Sequence, residues 1–338
     1  MTARIALDAR LTRQMSVGMK AYAQELAARL PRVAPDLHFE IFDRGGNFGW
    51  DEQVRLPLAM HRSHPDAAHF LSLYAPVLPP RPYAITVHDL IHLRFPEYFK
   101  SKVGPYYRTV VRFTCARASR VITDDERTVA DLQHFLGVDP AKVRVIPLGA
   151  DDAFFRPAAH FAAPRPYIIY AGNHRAHKDL ETLFAAWAGL PDDLELDLYV
   201  TGSSEAGAGY ARANGRIRML GDISTADLAA YYASAVALVH PALCEGFGLP
   251  MLEAMASGCP VVACEDAIPG VLAGAALTFP ARGVEQARAH IAALARDPAR
   301  RAALAGAGRT LASAFTWDRC AERTAQVYRE MVAERTKR

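Results

Sequence analysis

Between Val236 and Ala263 the chain reads as strand, loop, helix, strand, and few folds accommodate that order. Val236 to Val239 is an apolar run short enough for a buried strand. The loop Glu245-Gly246-Phe247-Gly248 follows, then a helix from about Leu249 with Pro250 in its first turn, where no backbone N–H partner is lost. Gly258 suits the left-handed position after a last helical turn, and Pro260-Val261-Val262-Ala263 is a second apolar run. A strand returning parallel to its predecessor through a helix is the half-unit of a parallel sheet.

Alternation of this kind recurs along the chain, which predicts an α/β protein with parallel sheets rather than a sandwich or a bundle. Ile5 to Asp8, Tyr83 to Leu90, Ala118 to Thr123, Lys142 to Ile146 and Tyr167 to Tyr170 read as strand runs. Helices are expected at Lys20 to Leu30, Glu126 to Leu136, across Val284 to Arg309 with a break at Asp297-Pro298, and after Trp317. At 338 residues the chain exceeds ordinary single-domain size. Asp151 to Pro166, with three prolines and little periodicity, is the expected linker. Domains are expected over 1–155, joined by a terminal helix over 318–338, and over 156–317.

A composition of 51% hydrophobic and 22% charged residues excludes a disordered chain, and a net charge of +3 does not imply a nucleic-acid partner. No apolar stretch reaches the ~20 residues of a membrane helix, and Asp8 interrupts any signal-peptide core, so a cytosolic protein is expected. Five scattered cysteines without a Cys-x-x-Cys pair are expected to be reduced and buried.

Ligands of parallel sheets collect at the carboxyl ends of strands. There the N–H groups of the Gly246–Gly248 loop and of the helix start carry partial positive charge, and the glycines let main chain approach a diphosphate. Two carboxylates beside a phosphate need donors to face, and the hydroxyls of a nucleotide sugar are such donors. Glu253 can take a vicinal diol and Glu245 can reach the transferred sugar. By themselves the two glutamates favour a plainer reading, Glu253 as an exposed helix residue and Glu245 as the cap of a turn.

Glu245 to Gly258, with its two glutamates around Gly-Phe-Gly, its Pro-x-x-Glu-Ala-Met helix and its Gly-x-Pro-Val-Val continuation, resembles the signature of the family-four retaining glycosyltransferases of GT-B fold. The resemblance runs along most of the chain. It implies two Rossmann-like domains facing across a cleft, the first on the acceptor side and the second binding the donor, with a last helix crossing back to the first domain. It assigns Phe247, Gly248, Leu249 and Glu253 to donor binding and Glu245 to the transferred sugar. Gly18, in the loop around Ser16 to Met19, and Gly172 would approach the donor phosphates. Tyr83 to Leu90 is similar to the family's His-Asp strand end, whose histidine, here His88, faces the donor sugar; Asp89 would orient it or anchor the loop. Gly172-Asn173-His174-Arg175-Ala176-His177-Lys178-Asp179 resembles the phosphate-contacting loop with its lysine, Lys178. The family's usual arginine is His177 here, which leaves Arg175 as the candidate for the second positive charge, and Asp179 is expected to cap the next helix. The chain also departs from the family at Gly270, where an acid is usual; Glu265 or Asp266 would have to compensate.

No Asp-x-Asp triplet is present, so neither a metal nor any other cofactor is expected. The implied reaction moves a sugar, with a mannosyl donor carried by GDP slightly favoured, from a nucleoside diphosphate to a glycan or lipid-linked acceptor in surface polysaccharide synthesis. Lys100, Lys102, Arg108, Arg112 and Arg117, interleaved with Tyr106, Tyr107 and Phe113, fit a solvated helix face; peripheral contact with an anionic membrane is the alternative. A sugar-nucleotide epimerase of the same architecture and a non-catalytic sugar-nucleotide binder remain open. A nicotinamide dehydrogenase is disfavoured, because Gly207 to Arg212 lacks the third glycine of its fingerprint.

Overall fold

A computed structural model describes residues 2–10, 17–47, 49–99, 103–202 and 214–337. Gly207 to Arg212, Ser16, Lys100 and Lys102 lie outside the described residues. The chain divides into two units, Met1–Gly149 with Trp317–Arg338, and Ala150–Thr316.

In the first unit six parallel strands, β1 (Ala3–Asp8), β2 (Leu37–Phe42), β3 (Ala67–Phe70), β4 (Tyr83–Thr86), β5 (Arg120–Thr123) and β6 (Val143–Val145), lie in the order β2-β1-β3-β4-β5-β6. The central strands β3 and β4 are buried along their whole length, whereas the edge strand β2 exposes His38, Glu40 and Ile41. That contrast is what a parallel sheet covered by helices on both faces requires.

The second unit carries β7 (Tyr167–Tyr170), β8 (Asp197–Thr201), β9 (Ile217–Gly221), β10 (Ala237–His240), β11 (Val261–Cys264) and β12 (Leu277–Phe279), again all parallel, in the order β12-β11-β10-β7-β8-β9. Counted from β7 this is the doubly wound order 3-2-1-4-5-6 of dinucleotide-binding sheets. Its direction reverses between β7 and β10, and in open α/β sheets the crevice at that reversal receives the ligand. β7 and β10 pair through Ala237 to Ile168 and Leu238 to Ile169, so their carboxyl ends lie side by side.

Most expected elements form, with instructive differences at their ends. The first helix runs from Val17 to Val33, so Gly18 belongs to its first turn and not to the preceding loop. Strand β4 stops at Thr86, and His88 lies beyond its carboxyl end. The tract read as a linker opens with the helix Asp152–Phe155, capped by Asp151, whose Phe154 is buried near the Tyr232 ring. The second unit therefore starts at Ala150 and not at 156, because that turn is anchored by packing. All five cysteines are free and buried.

The last helix, Trp317–Thr336, belongs to the first unit, where it packs on the helix Val17–Val33. Its inner face buries Trp317, Cys320, Ala321, Thr324, Ala325, Val327, Tyr328 and Met331, a stripe at helical spacing. Tyr328 reaches into the sheet, its hydroxyl 2.7 Å from Nδ1 of the buried His69 in β3. No helix among the described residues is long and apolar enough to cross a membrane.

Candidate active site

Both loops expected to hold the donor rise from the reversal point of the second sheet. The first leaves β7 through Ala171 and Gly172. Gly172 has φ +145°, and a Cβ there would stand 3.0 Å from the Tyr170 hydroxyl, so only glycine passes easily. Its N–H donates to Oγ1 of Thr201, at the end of β8, over 3.1 Å, while the Tyr170 hydroxyl donates to the Asn173 carbonyl over 2.6 Å. A single 3₁₀ turn, Ala176–Lys178, then carries Lys178 inward to a buried position and leaves Arg175 exposed just before it. Asp179 follows with a left-handed φ of +48° and makes no cap bond to the next helix; its Oδ2 instead accepts from the Thr182 hydroxyl over 2.7 Å.

The second loop leaves β10 and is tied to the first where the Leu243 N–H donates to the His177 carbonyl over 2.8 Å. That tie brings Glu245 over Lys178. Oε1 of Glu245 receives Nζ of Lys178 and lies 2.7 Å from Nε2 of His240, which is fully buried. Burial alone would raise the Glu245 carboxyl, but Lys178 and His240 hold it well below the usual carboxylate range. Gly248, with φ +71°, turns the chain into the helix Leu249–Ala256, and a Cβ there would collide with the end of Met251. Phe247 points inward and packs near Phe315, so it can present only main chain to a ligand. Leu249 begins the helix and Pro250 lies in its first turn, as the sequence predicts.

Glu253, the fifth residue of that helix, is partly buried, and no described side chain hydrogen-bonds to its carboxyl group. Burial and the charge of Asp151 push it up to about 7. The two glutamates thus have opposite characters: Glu245 is fixed as an anion, and Glu253 titrates near neutrality.

His88 and Gly18 belong to the first unit. Nδ1 of His88 lies 2.6 Å from Oδ2 of Asp124, which follows β5 and is buried. The ring of Tyr22, one turn beyond Gly18, meets the imidazole edge-on at 4.6 Å between centroids. Burial lowers the His88 pKa, but the charge and hydrogen bond of Asp124 outweigh that and leave it raised. Asp89 anchors the loop, its Oδ1 accepting the Ile91 N–H over 3.1 Å. Gly270 opens the short helix Gly270–Ala273, and Glu265 and Asp266 are both exposed.

His240 and Asp124 were not singled out from the sequence. Each stands at the carboxyl end of a strand, His240 as its last residue and Asp124 just after it. That is the same positional signal that marks His88.

Residues 17–154 match the family model Glycosyltransferase Family 4, and residues 165–297 match the model described as Glycosyl transferases group 1. The chain belongs to the family-four glycosyltransferases. Among curated relatives of this glycosyltransferase, the O-antigen chain mannosyltransferase B of Escherichia coli is 25% identical over 273 residues, covering 72% of this chain and 69% of its own. The D-inositol 3-phosphate glycosyltransferase of Kineococcus radiotolerans is 30% identical over 255 residues, 64% of this chain and 58% of its own. The chain thus spans little more than half the length of some relatives.

Sucrose-phosphate synthase from Thermosynechococcus elongatus has the same fold, with a TM-score of 0.77 at 22% identity over 98% of this chain and 100% of that one. WaaG, a glycosyltransferase involved in lipopolysaccharide biosynthesis, gives 0.74 at 16% identity over 96% and 99%. Two parallel α/β units with a last helix returned to the first are the GT-B architecture expected from the sequence.

Proposed function

We propose that this glycosyltransferase transfers a sugar from a nucleoside diphosphate to a glycan or lipid-linked acceptor with retention of anomeric configuration and without a metal. The observation that carries the reading is the Lys178–Glu245–His240 cluster at the strand-order reversal of the second sheet, between two glycine-bent loops. In this reading the C1–O bond to phosphate breaks with its electron pair leaving on the nucleoside diphosphate. The acceptor oxygen attacks C1 on the same face, and its proton passes to a phosphate oxygen. Lys178, Arg175, the N–H groups of Gly18 and Gly172 and the helix starting at Leu249 meet the developing negative charge. Glu245 orients sugar hydroxyls, Glu253 grips the ribose diol, and His88 contacts the transferred sugar.

Lys178 is paired with Glu245, so a bound donor would redistribute that pair, Lys178 turning to phosphate and Glu245 to sugar. GDP-mannose is the first donor to try, because two relatives bear the name O-antigen chain mannosyltransferase, which also suggests surface polysaccharide as the product. Peripheral membrane contact has support in exposed Arg108, Arg112, Phe113 and Arg117 on one helical stretch. It is separable from catalysis by vesicle co-sedimentation at low and high salt.

The test is a panel of GDP-, UDP- and ADP-sugars, screened by thermal shift and then by nucleoside diphosphate release with and without acceptor in excess EDTA. Release that requires acceptor and persists in EDTA is expected. Epimerisation of the donor without acceptor, or binding with no turnover, would overturn the reading.

A further inference from the structure

We propose that Asp124 is a positioning residue for His88, its carboxylate holding Nδ1 so that Nε2 is the ring nitrogen offered to the substrate. The proposal rests on the role given to His88 above and adds a group that the family signature does not name.

Three observations carry it. The Nδ1 to Oδ2 distance is 2.6 Å between a partly buried imidazole and a buried carboxylate that arrive from the ends of adjacent strands, β4 and β5. Nε2, on the other side of the ring, is buried without a hydrogen-bond partner, although an unpaired buried nitrogen is costly unless a ligand group completes it. The ring plane is also fixed. Tyr22 stands against it at an interplanar angle of 88°. The Tyr22 hydroxyl is 3.0 Å from Oγ1 of Thr86, which is 2.8 Å from Nε2 of His69, whose Nδ1 is 2.7 Å from the hydroxyl of Tyr328 on the last helix. A buried polar chain thus holds Tyr22, whose ring stands against the imidazole.

Burial raises the Asp124 carboxyl, but His88 pulls it part of the way back down, and the hydrogen-bonded pair places the shared proton on Nδ1. Asp124 and, more weakly, Asp89 favour a proton on the ring. His69 does not compete, because burial and the nearby His88 push it down to about 3. Cys320, on the last helix, is buried and held as a thiol. Asp125, beside Asp124, is engaged by Arg127 at 2.9 Å. His88 therefore keeps its Nδ1 proton on Asp124 and gains or loses a proton at Nε2, where a sugar hydroxyl or phosphate oxygen would be met.

The test uses the full chain labelled with nitrogen-15 at histidine, with His88→Gln to assign the His88 signals, and Asp124→Asn to remove the charge while keeping the shape. Wild-type His88 is expected to hold Nδ1 protonated throughout, and its titration midpoint should fall by about one unit or more in Asp124→Asn. Using the donor found by the panel, kcat of Asp124→Asn is expected to fall on the order of tenfold, with its pH profile displaced to lower pH and the donor KM within about twofold. Asp124→Ser, measured the same way, guards against a fold defect in the first variant. An unmoved His88 titration, or an unchanged kcat profile in both folded variants, would overturn the proposal. A moved titration with His88→Ala fully active would uphold the coupling and overturn instead the role assigned to His88.

Discussion

Glu253 and Glu245 lie in one short stretch of chain and are driven in opposite directions by their neighbours. Because the folded pKa of Glu253 is raised to about 7, its contribution to stability is full below its ordinary value and is lost as pH rises through 7. Glu253→Gln, which cannot ionise, should therefore gain in melting temperature relative to wild type as pH goes from 5 to 8. A difference in Tm independent of pH would contradict the burial argument. The Lys178–Glu245 pair has the reverse sensitivity. Lys178→Met leaves the Glu245 carboxylate buried with His240 alone, and loss of one partner of a buried pair costs about 3–5 kcal/mol. Urea titration should show a loss of that order, and calorimetric titration with nucleoside diphosphate should show at least tenfold weaker binding, about 1.4 kcal/mol. For His88→Ala the expected outcome is different: kcat falls far more than nucleotide affinity, measured by comparing turnover with direct binding.

At the scale of an element, the helix Leu249–Ala256 is aimed by one residue. Gly248 takes φ +71°, and a methyl group there would meet both the left-handed penalty of roughly 1–2 kcal/mol and the end of Met251. Gly248→Ala should lower stability in urea by about that amount and weaken donor binding. Gly270→Ala is the control, since a Cβ at Gly270 meets no atom within 4 Å and no positive φ is needed. Equal effects at the two glycines would show that the turn does not depend on Gly248. The sequence marks this turn because glycine, proline and the apolar runs around it act locally. It does not mark the start of the first helix, where Gly18 joins the first turn, nor the Asp179 turn, where a left-handed backbone takes the place of the expected side-chain cap.

Over the whole molecule, the last helix is held to the first unit mainly by apolar surface. Several of its ion pairs, among them Asp318 with Arg29, Arg329 with Asp36 and Glu330 with Arg144, are partly exposed and each contributes little. The buried stripe from Trp317 to Met331 contributes far more, at roughly 1.5–3 kcal/mol for each large side chain. Truncation after Thr316 should consequently abolish the calorimetric transition of the first unit and leave that of the second near its original temperature. Retention of both transitions would show that the helix is dispensable to the first unit.

Lys178, Glu253 and His88 were marked by the resemblance of their segments to the family's motifs, whereas the amino-acid sequence by itself determined the α/β class and the strand–loop–helix–strand unit around Glu245. These are matters of burial and turn geometry over a dozen residues, which residue type encodes directly. Only the tertiary structure decided that Lys178 and Glu245, 67 positions apart, share His240, that Asp124 supports His88 from 36 positions away, and that the second unit begins at Ala150. Those outcomes follow from strand order and register, and a buried apolar run carries no record of which other run it will pair with.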